Sequence, residues 1–268
     1  MNQKNFFDAI RPAFGGKLNS DQVIGMSALL DAGAGLPLHH MANVLAQVRR
    51  ETGGIMAPIK ETVMASHRDK NPSDAEVIRR LDRAYARGKL PWVKAPYWRE
   101  GYFGRGQIGL THPENYARFG IVHKDDALIP HISAHVAVRG MRDGLFRKRK
   151  NGTPIKLADF NFPAALDAAP DFNPRRIVNG QDGSDAEVAL FHRQFAAALA
   201  VSGWGETPAA PQPAPDPALL APTLVDDSAG HDPAAKDTTI PNGDPRSDWR
   251  AALITALLAF LKWLGGKK

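Results

Sequence analysis

The sequence predicts a mainly α-helical domain, followed by a proline-rich segment and a short apolar helix. Three observations carry this. Apolar residues recur at helical spacing in stretches spread over residues 20–201, and no sustained period-2 alternation interrupts them. Nine of the chain's 21 prolines fall in residues 206–247, a density that blocks helix and sheet. The last stretch, SDWRAALITALLAFLKWLGGKK, turns apolar again.

Taken in order, Asn19-Ser20 offers a polar cap to DQVIGMSALLDA, whose Val23, Ile24, Ala28 and Leu30 share one face. Leu36 to Thr52 is expected as a second helix with Leu38, Met41, Leu45 and Val48 on one side, stopped by Gly53-Gly54. Ser73 and Glu76 read as a capping box for a third helix that runs to about Arg87 and ends at Gly88. Ala127 to Met141 and Asp185 to Val201 are expected as two more. These lie in a domain of residues 1–205, ahead of a linker at 206–247 and a terminal helix at 248–268.

Composition is that of a protein with a well-buried core: 268 residues, 43% hydrophobic and 23% charged. The absence of cysteine excludes disulfides and thiolate metal sites. The opening MNQKNFFDAIRPAFGG holds no apolar run of signal-peptide length, so no secretory leader is expected. The net charge of +6 is uneven. The first 205 residues hold 28 basic and 20 acidic residues, whereas 206–247 hold 2 and 7. A basic body points to simple solubility or to a polyanionic partner: nucleic acid, anionic lipid or cell-wall polymer.

The stretch RRETGGIMAPIKETV places Glu51 and Glu61 ten residues apart across a Gly-Gly pair and Pro58. Glu51 falls in the last turn of a helix, where the negative dipole end and partial burial favour a neutral carboxylic acid, the form a general acid needs. Pro58 puts Glu61 on a separate segment that turns back. Two carboxylates across such a break suit inverting glycoside hydrolysis, which requires roughly 6.5–9.5 Å between them for a water. The alternative is a pair of surface glutamates beside Arg49, Arg50 and Lys60.

A second stretch, YWREGYFGRGQIGLTHPENY at 97–116, bears on that choice. Its GRGxIxLTxxxNY pattern, downstream of an ETGG segment, resembles the glycoside hydrolase family 19 domain of chitinases and phage endolysins. Arg175-Arg176-Ile177-Val178-Asn179-Gly180 resembles the family's RRINGG segment, and the three elements stand in family order.

The resemblance implies an α+β lysozyme-like fold, with two helical lobes flanking a substrate groove and a small β-element at its edge. It implies Glu51 as general acid and Glu61 as general base. It further implies that Thr111 helps hold the water, that Asn115 and Asn179 bind N-acetyl groups or hydroxyls, and that Tyr102 and Arg105 shape the cleft wall. Two departures stand out: Arg50 replaces the usual histidine, and Gly109 replaces a glutamine. Gln107, on the same side of an extended segment, is the expected substitute for that amide.

Other features read more plainly. One or two of Trp92, Tyr97, Trp98, Tyr102 and Phe103 are expected to face the groove, and the rest to be core. His39, His40 and His67 lack a metal-ligand spacing, the RKRK run at 147–150 reads as a solvated loop, and GQDGSD at 180–185 lacks the calcium-loop glutamate. No cofactor, no metal and no nucleic-acid partner is expected. The apolar stretch at 249–264, about 21–24 Å long as a helix, is short of the ~30 Å hydrocarbon core and suits a membrane interface; docking on the body or oligomerisation is the alternative.

These expectations combine into an endolysin of a phage or prophage, acting on peptidoglycan glycan strands. It would be held in the host cytoplasm before lysis and work in the periplasm or wall, touching the anionic bacterial membrane through 249–264. The alternatives are a chitinase of the same fold and a non-catalytic wall-binding or membrane-permeabilising protein.

Overall fold

The computed structural model describes residues 1–61 and 71–205. The expectations placed on His67, on the linker 206–247 and on the terminal helix 248–268 lie outside the described residues. Among the described residues the protein is mainly helical. In chain order come α1 (Gln3–Ile10), α2 (Ser20–Ala32), α3 (Leu38–Glu51), β1 (Ile59–Lys60), α4 (Asp74–Ala86), β2 (Arg105–Gly106), α5 (Pro113–Arg118), α6 (Pro130–Asp143) and α7 (Asp185–Val201), with short 3-10 turns between several of them. No helix among the described residues is long and apolar enough to cross a membrane.

The core is built around α3. Its residues from Met41 to Val48 are buried on all sides, where the sequence pattern predicted a single apolar face. Enclosure explains the difference: α3 packs most extensively against α7 and also meets α2 and α6. Met41, Leu45 and Val48 then join Phe6, Met26, Leu29, Ala134, Phe195 and Leu199 in one hydrophobic cluster. A fully buried leucine or phenylalanine there contributes about 1.5–3 kcal/mol.

Caps behave largely as the sequence implies. Asn19 and Gln22 form a reciprocal capping box at the start of α2, at 2.9 Å in each direction. Ser73 accepts from Glu76 N at 3.2 Å, but the expected return bond is replaced: the Glu76 carboxylate turns outward to Arg79 and Arg80. The helix expected from Ala127 begins instead at Pro130, whose ring sets the first helical φ and cannot continue a helix from upstream. A separate 3-10 turn, Lys124–Leu128, precedes it.

Helix α1 has no strong sequence signal, being eight residues long. It forms because Phe6 and Ile10, four apart, bury against the core, the Phe6 ring stacking on Phe195 at 6.5 Å. Among the described residues the sheet is one antiparallel pair, with Ile59 opposite Gly106 and Lys60 opposite Arg105. Beyond it, Arg105 and Leu110 bridge across a tight turn.

Candidate active site

The two sequence-selected glutamates stand at the two ends of one connection, Glu51 closing α3 and Glu61 following β1. Glu51 closes α3, and Gly53 and Gly54 follow with φ of 58° and 85°, values at which a side chain is strained. Thr52 steadies the exit: its Oγ1 donates to Val48 O at 2.7 Å and accepts from Met56 N at 3.0 Å. Met56 itself sits at φ 61° and is fully buried. The loop then presses on α2 at Gly25, where a Cβ would come within 2.3 Å of Met56 O. Pro58 ends it and β1 carries the chain to Glu61, the separate segment that the proline predicts.

The surface-pair alternative rested on three neighbouring cations, and all three are engaged elsewhere. Arg49 lies over the rings of Phe14 and Phe191, at 4.5 and 3.9 Å from their centroids. Arg50, the residue in place of the usual histidine, faces Glu187 on α7 at 3.2 Å. Lys60 Nζ donates to Asp74 at 2.8 Å and to Pro72 O at 3.0 Å.

Glu51 meets a different cation. Arg175 Nη1 stands 2.6 Å from Glu51 Oε1, with the Arg175 side chain 2% exposed. The same Nη1 also donates to Gln47 Oε1 at 2.8 Å, so Glu51 and Gln47 share one end of the guanidinium. Gln47 lies one helical turn before Glu51 and also donates to Pro174 O at 3.1 Å, fixing the segment that bears Arg175. On its far side Arg175 Nη2 donates to Asp182 Oδ2 at 2.6 Å. Burial works against the Arg175 charge, but Glu51 and Asp182 outweigh it and hold the guanidinium above its ordinary range. Burial likewise opposes the Asp182 carboxylate, and bonds from Arg175 and Ser184 hold it below the usual carboxylate value.

Asn179 joins this network, donating from Nδ2 to Asp182 Oδ2 at 3.2 Å and accepting from Gly180 N at 2.8 Å. The structure thus links Glu51 and Asn179 through Arg175 and Asp182. The sequence motifs contain Arg175 and, in GQDGSD, Asp182, without assigning either to Glu51, and Gln47 lies outside them. The i, i+4 spacing of Gln47 and Glu51 is the available signal for Gln47.

Glu61 is held by a second set of groups. Its Oε1 accepts from Tyr97 Oη at 3.0 Å and its Oε2 from Gly104 N at 2.8 Å, while its own N–H donates to Gly104 O at 2.7 Å. Burial, reinforced by the Glu61 charge, raises the Tyr97 phenol well above its ordinary value, so the hydroxyl is a standing donor. Gly104 allows the approach: a Cβ there would lie 3.3 Å from both Cβ and Oε2 of Glu61. No protein-family model, curated protein or solved structure matches this chain.

Beside Glu61 lies a cavity of about 340 Å³ lined by Trp92, Val93, Lys94, Ala95, Tyr97 and His112. Trp92 is 61% exposed, whereas Trp98 and Phe103 are core. The His112 ring packs on Tyr97 at 4.8 Å, from a backbone at φ 66° that few non-glycine residues adopt. Thr111 and Asn115 flank it, tied by Asn115 Nδ2 donating to Thr111 O at 2.8 Å.

Two expected groove residues turn inward. Arg105, expected in the cleft wall, has a side chain with no exposure. It bridges Asp74 at 2.7 Å and Asp125 at 2.9 Å, with its guanidinium over Phe103 at 3.9 Å. Two partly exposed carboxylates, the Gly101 carbonyl and an aromatic face compensate its burial. Gln107, the expected sugar-binding amide, is 1% exposed and donates to Gly25 O at 3.2 Å and to Met56 O. Its amide joins Gly25 on α2 to Met56, and so clamps the loop between the two glutamates. Gly109, at φ 64° in open space, is required by the Arg105–Leu110 turn. Tyr102 packs edge-on to Tyr116 at 5.3 Å beneath Lys124. Among the described residues no cluster of three or more ionisable ligands is placed to hold a metal.

Proposed function

We propose that the protein is a glycosidase that hydrolyses β-1,4 bonds between the amino sugars of bacterial peptidoglycan with inversion, an endolysin whose action lyses the host cell. Glu51 donates the proton to the glycosidic oxygen and Glu61 draws one from the attacking water. The observation that carries this reading is that two carboxylates at the ends of one glycine-containing loop are each oriented by a separate set of partners, Arg175 at Glu51 and Tyr97 with Gly104 at Glu61. A carboxylate kept in place by fixed donors loses little freedom when the substrate arrives, which is where positioned acid/base groups gain their rate. Asp182 competes with Glu51 for the Arg175 charge, each at 2.6 Å, which lessens the pull of that cation against a protonated Glu51. The exposed Trp92 ring and the cavity beside Tyr97 offer an apolar face to a pyranose ring.

Release of glycan fragments from purified peptidoglycan, measured for the wild type, Glu51→Gln and Glu61→Gln, tests the reading. Both variants should fall by two or more orders of magnitude while staying folded. The roles separate on an aryl glycoside whose leaving group needs no protonation: Glu51→Gln should keep much of its rate there, and Glu61→Gln should not. A wild type that releases nothing, or variants that match it, would sink the proposal.

The terminal stretch 249–264 belongs to the same proposal as an interfacial membrane contact. Deleting 248–268 should abolish binding to anionic vesicles while activity on purified wall persists.

A further inference from the structure

The network around Glu51 leaves one cation unanswered. Arg147, beyond the end of α6, lies with its guanidinium against Gly180, where a Cβ would stand 3.6 Å from Nη2. Its charged neighbours are other guanidiniums: burial first, then Arg176 and Arg175, pull its pKa down. Its Nε is buried without a hydrogen-bond partner, as is the Nε of Arg176. Among the described residues Arg147 pairs with no carboxylate. Of the acids nearby, Glu51 and Asp182 face Arg175, and Asp171, 68% exposed, pairs with Arg176 Nη1 at 2.7 Å. Asp185, whose Oδ1 is buried without a hydrogen-bond partner, has Arg175 and Arg176 rather than Arg147 as its nearby cations.

A part-buried guanidinium beside like charges is costly unless an anion completes it. Its planar fork matches the two oxygens of a carboxylate. Gly180 packs against it, and the adjacent Asn179 donates to Asp182 and through it connects to Arg175 and Glu51.

We propose that Arg147, with Arg176 beside it, forms a carboxylate-binding subsite adjoining the Glu51 network, which takes the acidic substituent of a wall amino sugar. This rests on the glycosidase reading for the identity of the ligand. Wall glycan carries carboxylates on the lactyl ether of every second sugar or on the peptide attached there. Polymers of N-acetylglucosamine carry none. The subsite thus selects the acidic glycan over the neutral one at the same pair of glutamates.

The test is calorimetric binding to the full chain carrying Glu61→Gln, which prevents turnover. Three ligands are compared: a peptide-free wall tetrasaccharide with free lactyl carboxylates, the same glycan bearing its peptides, and the neutral N-acetylglucosamine tetramer. The quantity read is the ratio of acidic to neutral affinity. Arg147→Gln should lower that ratio by about tenfold or more, the size of one lost charge-assisted pair. Arg147→Lys, which keeps the charge and the fold but not the fork, should lower it less. Lys148→Gln removes a unit of charge from an exposed neighbour and should move the ratio less than about twofold.

Whichever acidic ligand shows the loss identifies the lactyl or the peptide carboxylate as the one bound. An unchanged ratio in Arg147→Gln, or an equal fall in Lys148→Gln, overturns the subsite. The two readings fail separately. A wild type that cleaves wall with an unchanged ratio loses only the subsite. A chain that cleaves nothing but shows the fall keeps the subsite and loses the glycosidase.

Discussion

Arg175 and Glu51 meet at 2.6 Å although 124 positions separate them in the chain, and Gln47 Oε1 accepts from the same guanidinium nitrogen at 2.8 Å. Helix α3 therefore presents two groups, one turn apart, to a cation delivered by the 3-10 turn Pro174–Ile177. The side chains of Glu51 and Asp182 are 21% and 20% exposed, so the cation is buried and its anions are only partly so.

Replacing Arg175 by Met should leave two carboxylates and the Gln47 amide without their shared partner. Removal of one member of a buried pair costs roughly 3–5 kcal/mol, and the partial exposure of the anions places this case near the lower end. Urea denaturation of the two proteins measures it. A loss below about 1 kcal/mol would mean that water replaces the guanidinium freely.

Gly104→Ala should act on activity more than on stability. The new methyl stands 3.3 Å from Glu61 Oε2, so the carboxylate has to retreat by a few tenths of an ångström. Misplacement on that scale is expected to reduce turnover by about tenfold, with a stability change under about 1 kcal/mol. Turnover equal to the wild type would show that a shift of the Glu61 carboxylate by a few tenths of an ångström does not limit catalysis.

Trp92→Ala should raise KM for glycan more than it lowers kcat, by a factor on the order of ten, because an exposed ring that stacks on the sugar contributes to binding in both ground and transition states. Steady-state kinetics on soluble glycan fragments decide this. A pure kcat effect would move Trp92 from binding to positioning.

His192→Gln should flatten the acid limb of the stability curve. His192 is 1% exposed, bonded through Nε2 to His39 Nδ1 at 3.1 Å. Burial, then His39 and Arg193, lowers its pKa from 6.5 to about 3. The unfolded chain therefore binds one more proton than the folded one between those values, and stability falls as pH drops from about 6.5 toward 3, by up to about 1.4 kcal/mol per pH unit. Gln keeps a polar group toward His39 without titrating. Denaturation at a series of pH values should show a slope smaller by about one proton; an unchanged slope would assign the acid sensitivity to other groups.

Much of the helical order was legible in the chain. Asn19, Ser73 and Gly53-Gly54 mark boundaries through backbone groups only a few residues away, and Asp185 to Val201 forms as its periodicity predicts. Pro58 was enough to separate Glu61 from the helix of Glu51. Local chemistry sets such features, so sequence carries them.

The direction in which a side chain points was not legible where the reason lies far along the chain. Gln107 and Arg105 are polar residues in a strand-like segment, and nothing nearby says that Met56, Gly25, Asp74 and Asp125 will enclose them. Nor does Arg50 beside Glu51 reveal that it turns to Glu187 while Arg175 takes its place. Sequence by itself determined which carboxylates stand at the loop and which helices carry them. Tertiary structure decided their partners, because burying a charge is tolerable only where distant segments bring its counter-charge to the same place.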